Sequence, residues 1–166
     1  DGWREPPVTV ECRVKLRDAK GYNILVASDT KASGAHWEIF AMDGSGKLSA
    51  YLPGATPDHV RSDAVITDGA WHAVAMQYAP DRVRLWLDGR VVADEAIEWK
   101  PKRAVVPGGL GMARLVEGGV GMRGVIDEVR IRQGIREDLA KVADVPFGRE
   151  GEGVLGYWDF EELEDV

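Results

Sequence analysis

The sequence predicts an all-β protein built as a two-layer antiparallel β-sandwich, and three observations support this prediction. Residues 8–16 alternate strictly between apolar and polar side chains, which is the pattern of a half-buried strand. The 20 glycines and 8 prolines are spread along the chain, as expected of a chain that turns often. Residues 68–92 contain three apolar runs in close succession, which indicate three consecutive antiparallel strands.

The first strands follow in order along the chain. In the first of them the inward set is apolar and consists of Val8, Val10, Cys12, Val14 and Leu16. Loops rich in small and polar residues then separate four further apolar runs. These runs predict strands at residues 22–28, 36–42, 48–52 and 60–67.

A hairpin is predicted at Asp88-Gly89, since these residues supply the positive backbone angles of a two-residue type I′ turn. Such a turn predicts the cross-strand pairs Leu85 with Val92, Trp86 with Val91, and Arg84 with Ala93. Both faces of this hairpin would then be partly apolar. The second face is therefore either roofed by a loop or used for binding.

The last third of the chain predicts three more strands, at residues 110–115, 124–132 and 154–160. The final strand is expected to return and pair near the N-terminal strand, which would close the sheet edge. Helical spacing occurs once, in Ile135, Leu139 and Val142. It predicts one short helix near 135–142.

Length and charge limit the classes of protein to consider. The 166 residues suit one domain, and a start at Asp1 without a signal pattern indicates a domain cut from a larger protein. The net charge of −7 argues against nucleic-acid partners, which select basic surfaces. No apolar run approaches the ~20 residues of a membrane helix, so membrane insertion is not expected. The single cysteine, Cys12, excludes an intrachain disulfide and is expected to be buried.

Two motifs in order resemble a known family. The first joins Gly69-x-Trp71-His72 to the run Leu85-Trp86-Leu87-Asp88-Gly89, and the second is the strand of residues 124–131. Together they are similar to the core of laminin-G-like domains, in the concanavalin A-like lectin and glucanase superfamily. The resemblance spans roughly residues 8–160. It implies a concanavalin A-like jelly roll that is secreted, periplasmic or at the cell surface.

Asp127 is the most informative single position, because alternation places it with Val125, Val129 and Ile131 on the apolar face of its strand. A buried carboxylate needs compensation, either from backbone N–H groups or from a bound Ca²⁺. The resemblance implies a structural calcium ligand at the matching position, completed by carbonyls around residues 2–4 and near Gly21. The sequence leaves both alternatives open.

No catalytic residues are predicted, and the chain is not expected to be an enzyme. A glycoside hydrolase needs two carboxylates across one cleft. The closest candidates, Glu95 and Glu98, are three residues apart and would face opposite sides of a strand. The three histidines show no metal-ligand spacing, and His72 is expected to be hydrogen-bonded and half-buried.

Six tryptophans are many for this length, and exposed indole rings in a β-sandwich are a cue for glycan binding. Trp37, Trp71 and Trp158 are expected in the core. Trp86 and Trp99 are open to either role, burial under a loop or contact with a ligand.

The resulting hypothesis is a non-catalytic module that binds a glycan or protein ligand through Trp86, Arg84 and Arg130. A charge network on a wet face is the alternative role for Arg130. The rival hypothesis is a structural accessory domain that packs against neighbouring domains of the same chain. A glycoside hydrolase ranks third because the paired carboxylates are missing.

Overall fold

The computed structural model describes residues 2–100, 104–141 and 146–161. In these residues thirteen strands form, together with a single 3-10 turn at Leu139–Lys141. The strands are β1 Val8–Leu16, β2 Asn23–Ser28, β3 Trp37–Ala41, β4 Lys47–Tyr51, β5 Ala55–Thr56, β6 His59–Val65, β7 Trp71–Tyr78, β8 Arg82–Leu87, β9 Arg90–Ala96, β10 Glu98–Trp99, β11 Leu110–Met112, β12 Gly124–Gln133 and β13 Val154–Trp158.

The strands form two antiparallel layers. Sheet A has six strands in the order β13-β12-β1-β7-β8-β9, and sheet B has five in the order β11-β2-β3-β4-β6, while β5 and β10 pair as a short ribbon. The inner faces of both sheets share one hydrophobic core, to which sheet B contributes Trp37 and sheet A contributes residues such as Leu85 and Ile131. The predicted two-layer antiparallel β-sandwich is confirmed.

Strand β1 lies between β12 and β7, and its first half is buried on both faces. Its five inward side chains, from Val8 to Leu16, are fully buried in the core, as the alternation predicts. On the opposite face Thr9 and Glu11 are also fully buried. Alternation alone would leave these two positions in water, so another part of the chain must cover them.

The cover is the segment that follows β12. We call residues 134–141 and 146–148 the roof. Leu139 and Phe147 are 4% and 7% exposed and lie over β1 and β7. The predicted helix near 135–142 is reduced to the turn at 139–141, and its last position, 142, lies outside the described residues. The roof packs on the sheet through Leu139 and Phe147 and not through the apolar face of a helix, which explains why the predicted helix does not form.

Arg130 joins the roof to sheet A. Its Nε and Nη2 donate to the Glu11 carboxylate at 2.8 and 2.9 Å, and its Nη1 donates to the carbonyls of Phe147 and Gly148. Arg136 adds a third hydrogen bond to Glu11, at 2.8 Å. Because Arg130 is only 2% exposed, it does not face a ligand, contrary to the role predicted from the sequence. It neutralises a buried carboxylate instead.

The hairpin between β8 and β9 turns at Asp88-Gly89, where both residues have positive φ angles of 49° and 77°. The pair Trp86 with Val91 is found as predicted, but the next pairs are Leu85 with Ala93 and Arg84 with Asp94. The predicted partners Val92 and Ala93 were wrong by one residue. The cause is a β-bulge at Val92: the register shifts between the pairs of Leu85 and Trp86, which leaves Val92 as the extra residue of β9.

The family-like residues His72 and Asp88 contact each other at this turn. His72 Nδ1 lies 2.8 Å from Asp88 Oδ2, and its Nε2 lies 3.0 Å from Asp68 Oδ1. The other oxygen of Asp88 accepts a hydrogen bond from the Ala73 N–H at 2.8 Å. The two halves of the first family-like motif therefore form one latch that holds the hairpin onto β7, and the predicted hydrogen-bonded role of His72 is confirmed.

Two further expectations need correction. The last strand, β13, pairs with β12 and not with β1, so it is an edge of sheet A. Trp71 was expected in the core but is 49% exposed, because it opens β7 at the end of the sheet. Trp37 is fully buried as predicted, and Trp158 is half-buried against the core.

Replacing Arg130 with Met should destabilise the fold by about 3 kcal/mol or more, because it leaves part of the charge on buried Glu11 uncompensated. Urea denaturation measures this change. Arg84→Met is the matched control, since Arg84 pairs with Asp94 at a site where its side chain is 41% exposed, and it should cost less than about 1 kcal/mol. Equal losses in the two variants would contradict the buried role of Arg130.

The His72 latch should stabilise the fold more at acidic than at basic pH. Burial lowers the pKa of His72, but the carboxylates of Asp88 and Asp68 raise it more, so the net shift is upward. The contribution is therefore complete below the unfolded pKa of about 6.5 and is lost as pH rises through the folded value. Unfolding free energies of the wild type and His72→Gln, measured at about pH 5.5 and about pH 8.5, should differ more at the lower pH. A larger difference at the higher pH would contradict this sign.

Candidate functional site

A cavity of about 310 Å³ lies at one end of the sandwich. At this end β1 begins opposite the end of β7, and β3 begins opposite the end of β4. The loops from both sheets therefore meet there, together with the segment before β1. The lining residues are Arg4, Glu5, Pro6, Gly34, Ala35, Gly54, Tyr78, Pro80, Trp99, Lys100 and Val105.

Trp99 forms the aromatic wall of this cavity and is 38% exposed. Its indole Nε1 donates to the Pro80 carbonyl at 2.8 Å, which fixes the ring orientation. A Cβ at Gly54 would lie only 3.0 Å from Cζ3 of the indole, so glycine gives the ring the room to lie against the backbone. The ring is thus held in place while part of it stays accessible to a ligand.

Tyr78 forms the floor. It is the last residue of β7, is 3% exposed and packs with the core. Its ring centroid lies 5.4 Å from that of Trp99 at an interplanar angle of 47°. Burial raises the pKa of the Tyr78 hydroxyl well above its usual range, and the negative charge of Glu5 raises it further. The floor is therefore an uncharged aromatic surface at physiological pH.

Asp29 fixes the position of Arg4, a charged residue of the cavity wall. Arg4 Nε and Nη2 donate to its two carboxylate oxygens at 2.8 and 3.0 Å, a bidentate ion pair. The backbone N–H groups of Gly108 and Gly109 donate to Asp29 Oδ1 at 2.8 and 3.2 Å. One fully buried carboxylate therefore joins the segment before β1 to the loop before β11.

The loop after β2 completes this arrangement. Ser33 Oγ lies 3.5 Å from Asp29 Oδ2 and accepts the Val106 N–H at 3.1 Å, while Gly34 N–H donates to the Ala104 carbonyl at 2.9 Å. Burial raises the pKa of Asp29, but the bonds from Arg4 and the two glycine N–H groups lower it more, so the carboxyl stays ionised at neutral pH. The walls at residues 34, 35 and 105 depend on this network.

Two of the predicted ligand residues, Trp86 and Arg84, lie together on the outer face of β8, away from the cavity. Trp86 is half-buried and its Nε1 donates to Gln77 Oε1 at 3.0 Å, and Arg84 pairs with Asp94 at 3.1 Å. Arg130 lies three strands away in sheet A, or roughly 14 Å, under the roof. The three predicted residues do not form one site.

Asp127 does not lie on the core face. Glu128 has a positive φ of 49°, and the pairing with β1 slips between Arg13–Asp127 and Glu11–Arg130. This bulge returns Val129 and Ile131 to the core while Val125, two residues before Asp127, is 50% exposed. The strict alternation assumed from the sequence fails here. Oδ1 of Asp127 accepts the N–H of the next residue at 2.7 Å.

Of the carbonyls implied by the resemblance, those of Gly2 and Trp3 do not lie beside Asp127. A Cβ at Gly2 would lie 2.8 Å from Gln133 Oε1, and Gln133 is six residues along β12 from Asp127, or about 20 Å. The Trp3 carbonyl accepts the indole N–H of Trp37 instead. In the described part of the chain no three His, Cys, Asp or Glu side chains form a group that could hold a metal. Gly2 and Trp3 thus do not supply the implied carbonyls beside Asp127, and calcium binding stays a prediction.

The fold defines the class of protein as a concanavalin A-like β-sandwich. The family model described as the concanavalin A-like lectin/glucanases superfamily, laminin G type, matches residues 3–138, so the chain belongs to that family. The resemblance read from the two sequence motifs is thus confirmed. Among the residues that the structure describes, no helix has the length and apolar character needed to cross a membrane.

Solved structures share this fold at low sequence identity. A proposed carbohydrate-binding protein from Bacteroides ovatus superposes with a TM-score of 0.73 at 16% identity, over 96% of this chain and 47% of its own. The chain thus spans about half the length of that protein. The carbohydrate-binding module, family 40, of an intramolecular trans-sialidase from Ruminococcus gnavus gives 0.64 at 12% identity, over 82% of this chain and 80% of its own.

A third similar structure is domain 4 of an extracellular arabinanase from Geobacillus stearothermophilus, in complex with arabinotriose. It superposes with a TM-score of 0.59 at 16% identity, over 82% of this chain and 66% of its own. At such identities these similarities show the fold alone.

Replacing Asp29 with Asn should lower the unfolding free energy by about 1–3 kcal/mol, because Arg4 loses its bidentate partner in a buried setting. The pKa of Asp29 is lowered, so its stabilisation is present above the unfolded pKa of about 3.9 and is lost as pH falls through the folded value. The gap between wild type and variant should therefore close in acid.

Asp63→Asn is the matched control for this measurement. The Asp63 side chain is fully exposed and pairs only with the half-exposed Lys47 among the ion pairs of the described residues, so its neutralisation should leave the urea midpoint unchanged. A loss in Asp29→Asn no larger than in this control would show that the cavity walls do not depend on Asp29.

Proposed function

We propose that this chain is a non-catalytic module that binds carbohydrate in the cavity beside Trp99. One observation carries the proposal: an indole ring is fixed by its own hydrogen bond, yet stays 38% exposed over a cavity with charged groups at its rim. Sugar rings present C–H groups that pack on aromatic faces and hydroxyls that need polar partners. The cavity offers both kinds of contact.

The polar partners are Arg4, Glu5 and Lys100, which line the cavity together with apolar residues. Glu5 and Lys100 are exposed, so they reach a ligand at the mouth. Glu5 is the one carboxylate among the described residues of the lining, whereas glycoside hydrolysis requires two across the bond that breaks. This composition supports binding without hydrolysis.

The similar structures support the same class of ligand. They include the family 40 module of the Ruminococcus gnavus enzyme, seen with α2,6- and α2,3-sialyllactose, and the arabinanase domain, seen with arabinotriose. Two of these proteins are modules of larger enzymes that act on glycans. We therefore propose that this chain serves likewise within a larger extracytoplasmic protein.

The alternative function is a structural accessory domain that packs against a neighbouring domain. One observation favours it: Val105, which lines the cavity beside Trp99, and its neighbour Val106 are 48% and 44% exposed. Exposed apolar groups gathered at one end also suit a docking surface. A binding assay with the isolated chain separates the two functions, because only a glycan module binds without its neighbour.

The test is a glycan array probed with the wild type and three alanine variants, at Trp99, Trp86 and Trp71. Trp99→Ala should weaken binding at least about tenfold, which corresponds to about 1.4 kcal/mol of lost contact. Trp71 is the matched control, since it is also exposed but lies at the opposite end of β7 from Tyr78. Its replacement should leave binding unchanged.

The other outcomes assign the function elsewhere. Binding lost in Trp86→Ala but kept in Trp99→Ala would place the ligand on the outer face of sheet A, beside Arg84. Silence of the wild type across sialylated, arabinose-containing and neutral glycans would favour the accessory domain. Circular dichroism of each variant checks that the sandwich is intact.

A further inference from the structure

The cavity beside Trp99 is closed at its inner end. Tyr78 pairs with Val8 of β1 and Val83 of β8, and all three are at most 3% exposed within the shared core. A ligand that enters therefore meets the packed interior and has no second exit past the floor. This is the geometry of a pit rather than of a channel.

The walls of the pit come from several separate segments. The segment before β1, the loops after β2, β4 and β7, the ribbon strand β10 and the loop before β11 each contribute lining residues. The Asp29 network and the bond from Trp99 to Pro80 hold these segments against one another. In the described part of the chain, the site is thus formed by loops and chain ends from several segments and not by one strand face.

The centres of the two broad faces are covered as well. On sheet A the roof buries Glu11 completely. On sheet B the segment with Leu115 and Val120 packs over Ile24 and Phe40, which is 2% exposed. An extended polysaccharide that lay across the centre of either sheet would have to displace these segments.

The size of the pit limits what it holds. Its volume of about 310 Å³ is at the lower bound of the roughly 300–1,000 Å³ typical of small-molecule sites. One sugar ring against Trp99, with part of the next ring at the charged mouth, suits this space better than a longer segment.

From this geometry we infer that the cavity accepts one end of a glycan chain and not its interior. The inference rests on the proposed carbohydrate function and adds the class of ligand. The terminal sugar packs on the accessible part of Trp99 above Tyr78. The following unit lies between Glu5 and Lys100, and the remainder of the chain extends into solvent.

The experiment uses matched glycan series with the intact chain. The probes are arabinose-, cellobiose- and lactose-based oligosaccharides, each lengthened in turn at the reducing side and at the non-reducing side. Sialylated lactose serves as one capped form. For any glycan that binds, addition at one side should weaken binding at least about tenfold, while addition at the other should change Kd by less than about threefold.

Two outcomes overturn the inference while leaving carbohydrate binding in place. Additions tolerated at both sides, with affinity rising along the series, would show a groove that holds internal units. Additions that abolish binding at both sides would show a cavity that encloses a free monosaccharide or disaccharide.

The Trp99→Ala variant tests whether the discrimination arises at this cavity. In this variant both glycan binding and the difference between reducing-side and non-reducing-side additions should be lost. If wild type binds none of the series, nor any other arrayed glycan, the proposed function itself fails and the inference falls with it. Reproducible one-sided discrimination that depends on Trp99 supports the inference.

Discussion

The structure depends on the burial of the first half of strand β1 on both of its faces. One face forms the centre of the hydrophobic core, which alternation alone achieves. The other face carries Glu11, whose burial is tolerated only because Arg130 and Arg136 donate to both of its oxygens. Those two arginines also fix where the chain turns back over the sheet. Charge compensation in the interior thus determines the path of the roof.

A second buried carboxylate organises the other end of the molecule in the same way. Asp29 accepts the Arg4 guanidinium and two backbone N–H groups, so three segments distant in sequence meet around it. These segments then frame the cavity beside Trp99. Loops are usually the most mobile parts of a sandwich, and a bidentate buried pair gives them a defined arrangement. Recognition requires such preorganised walls, since ordering them on binding would reduce affinity.

The local features of the fold could be predicted from sequence, whereas the long-range ones could not. The alternation in β1 and the Asp88-Gly89 turn are encoded within a few residues, and both are found. The bulges at Val92 and at Glu128 depend on what packs across the sheet, so the predicted partner of Leu85 and the predicted face of Asp127 were wrong. Glu11 and Arg130 are 119 positions apart in the sequence, and no local sequence pattern predicts that they form a pair.

The candidate site shows the same limit, because residue type alone does not separate core from surface for an aromatic side chain. Trp71 and Trp99 are both exposed, but only Trp99 has a fixed ring beside a cavity. The charge at the cavity rim also cannot be predicted from the net charge of the chain. The net charge of −7 says nothing about a rim where Arg4 is compensated by Asp29, and where Glu5 and Lys100 have opposite signs. Among the described residues the rim is thus nearly balanced, so specificity there must come from shape and hydrogen bonding more than from long-range electrostatic attraction.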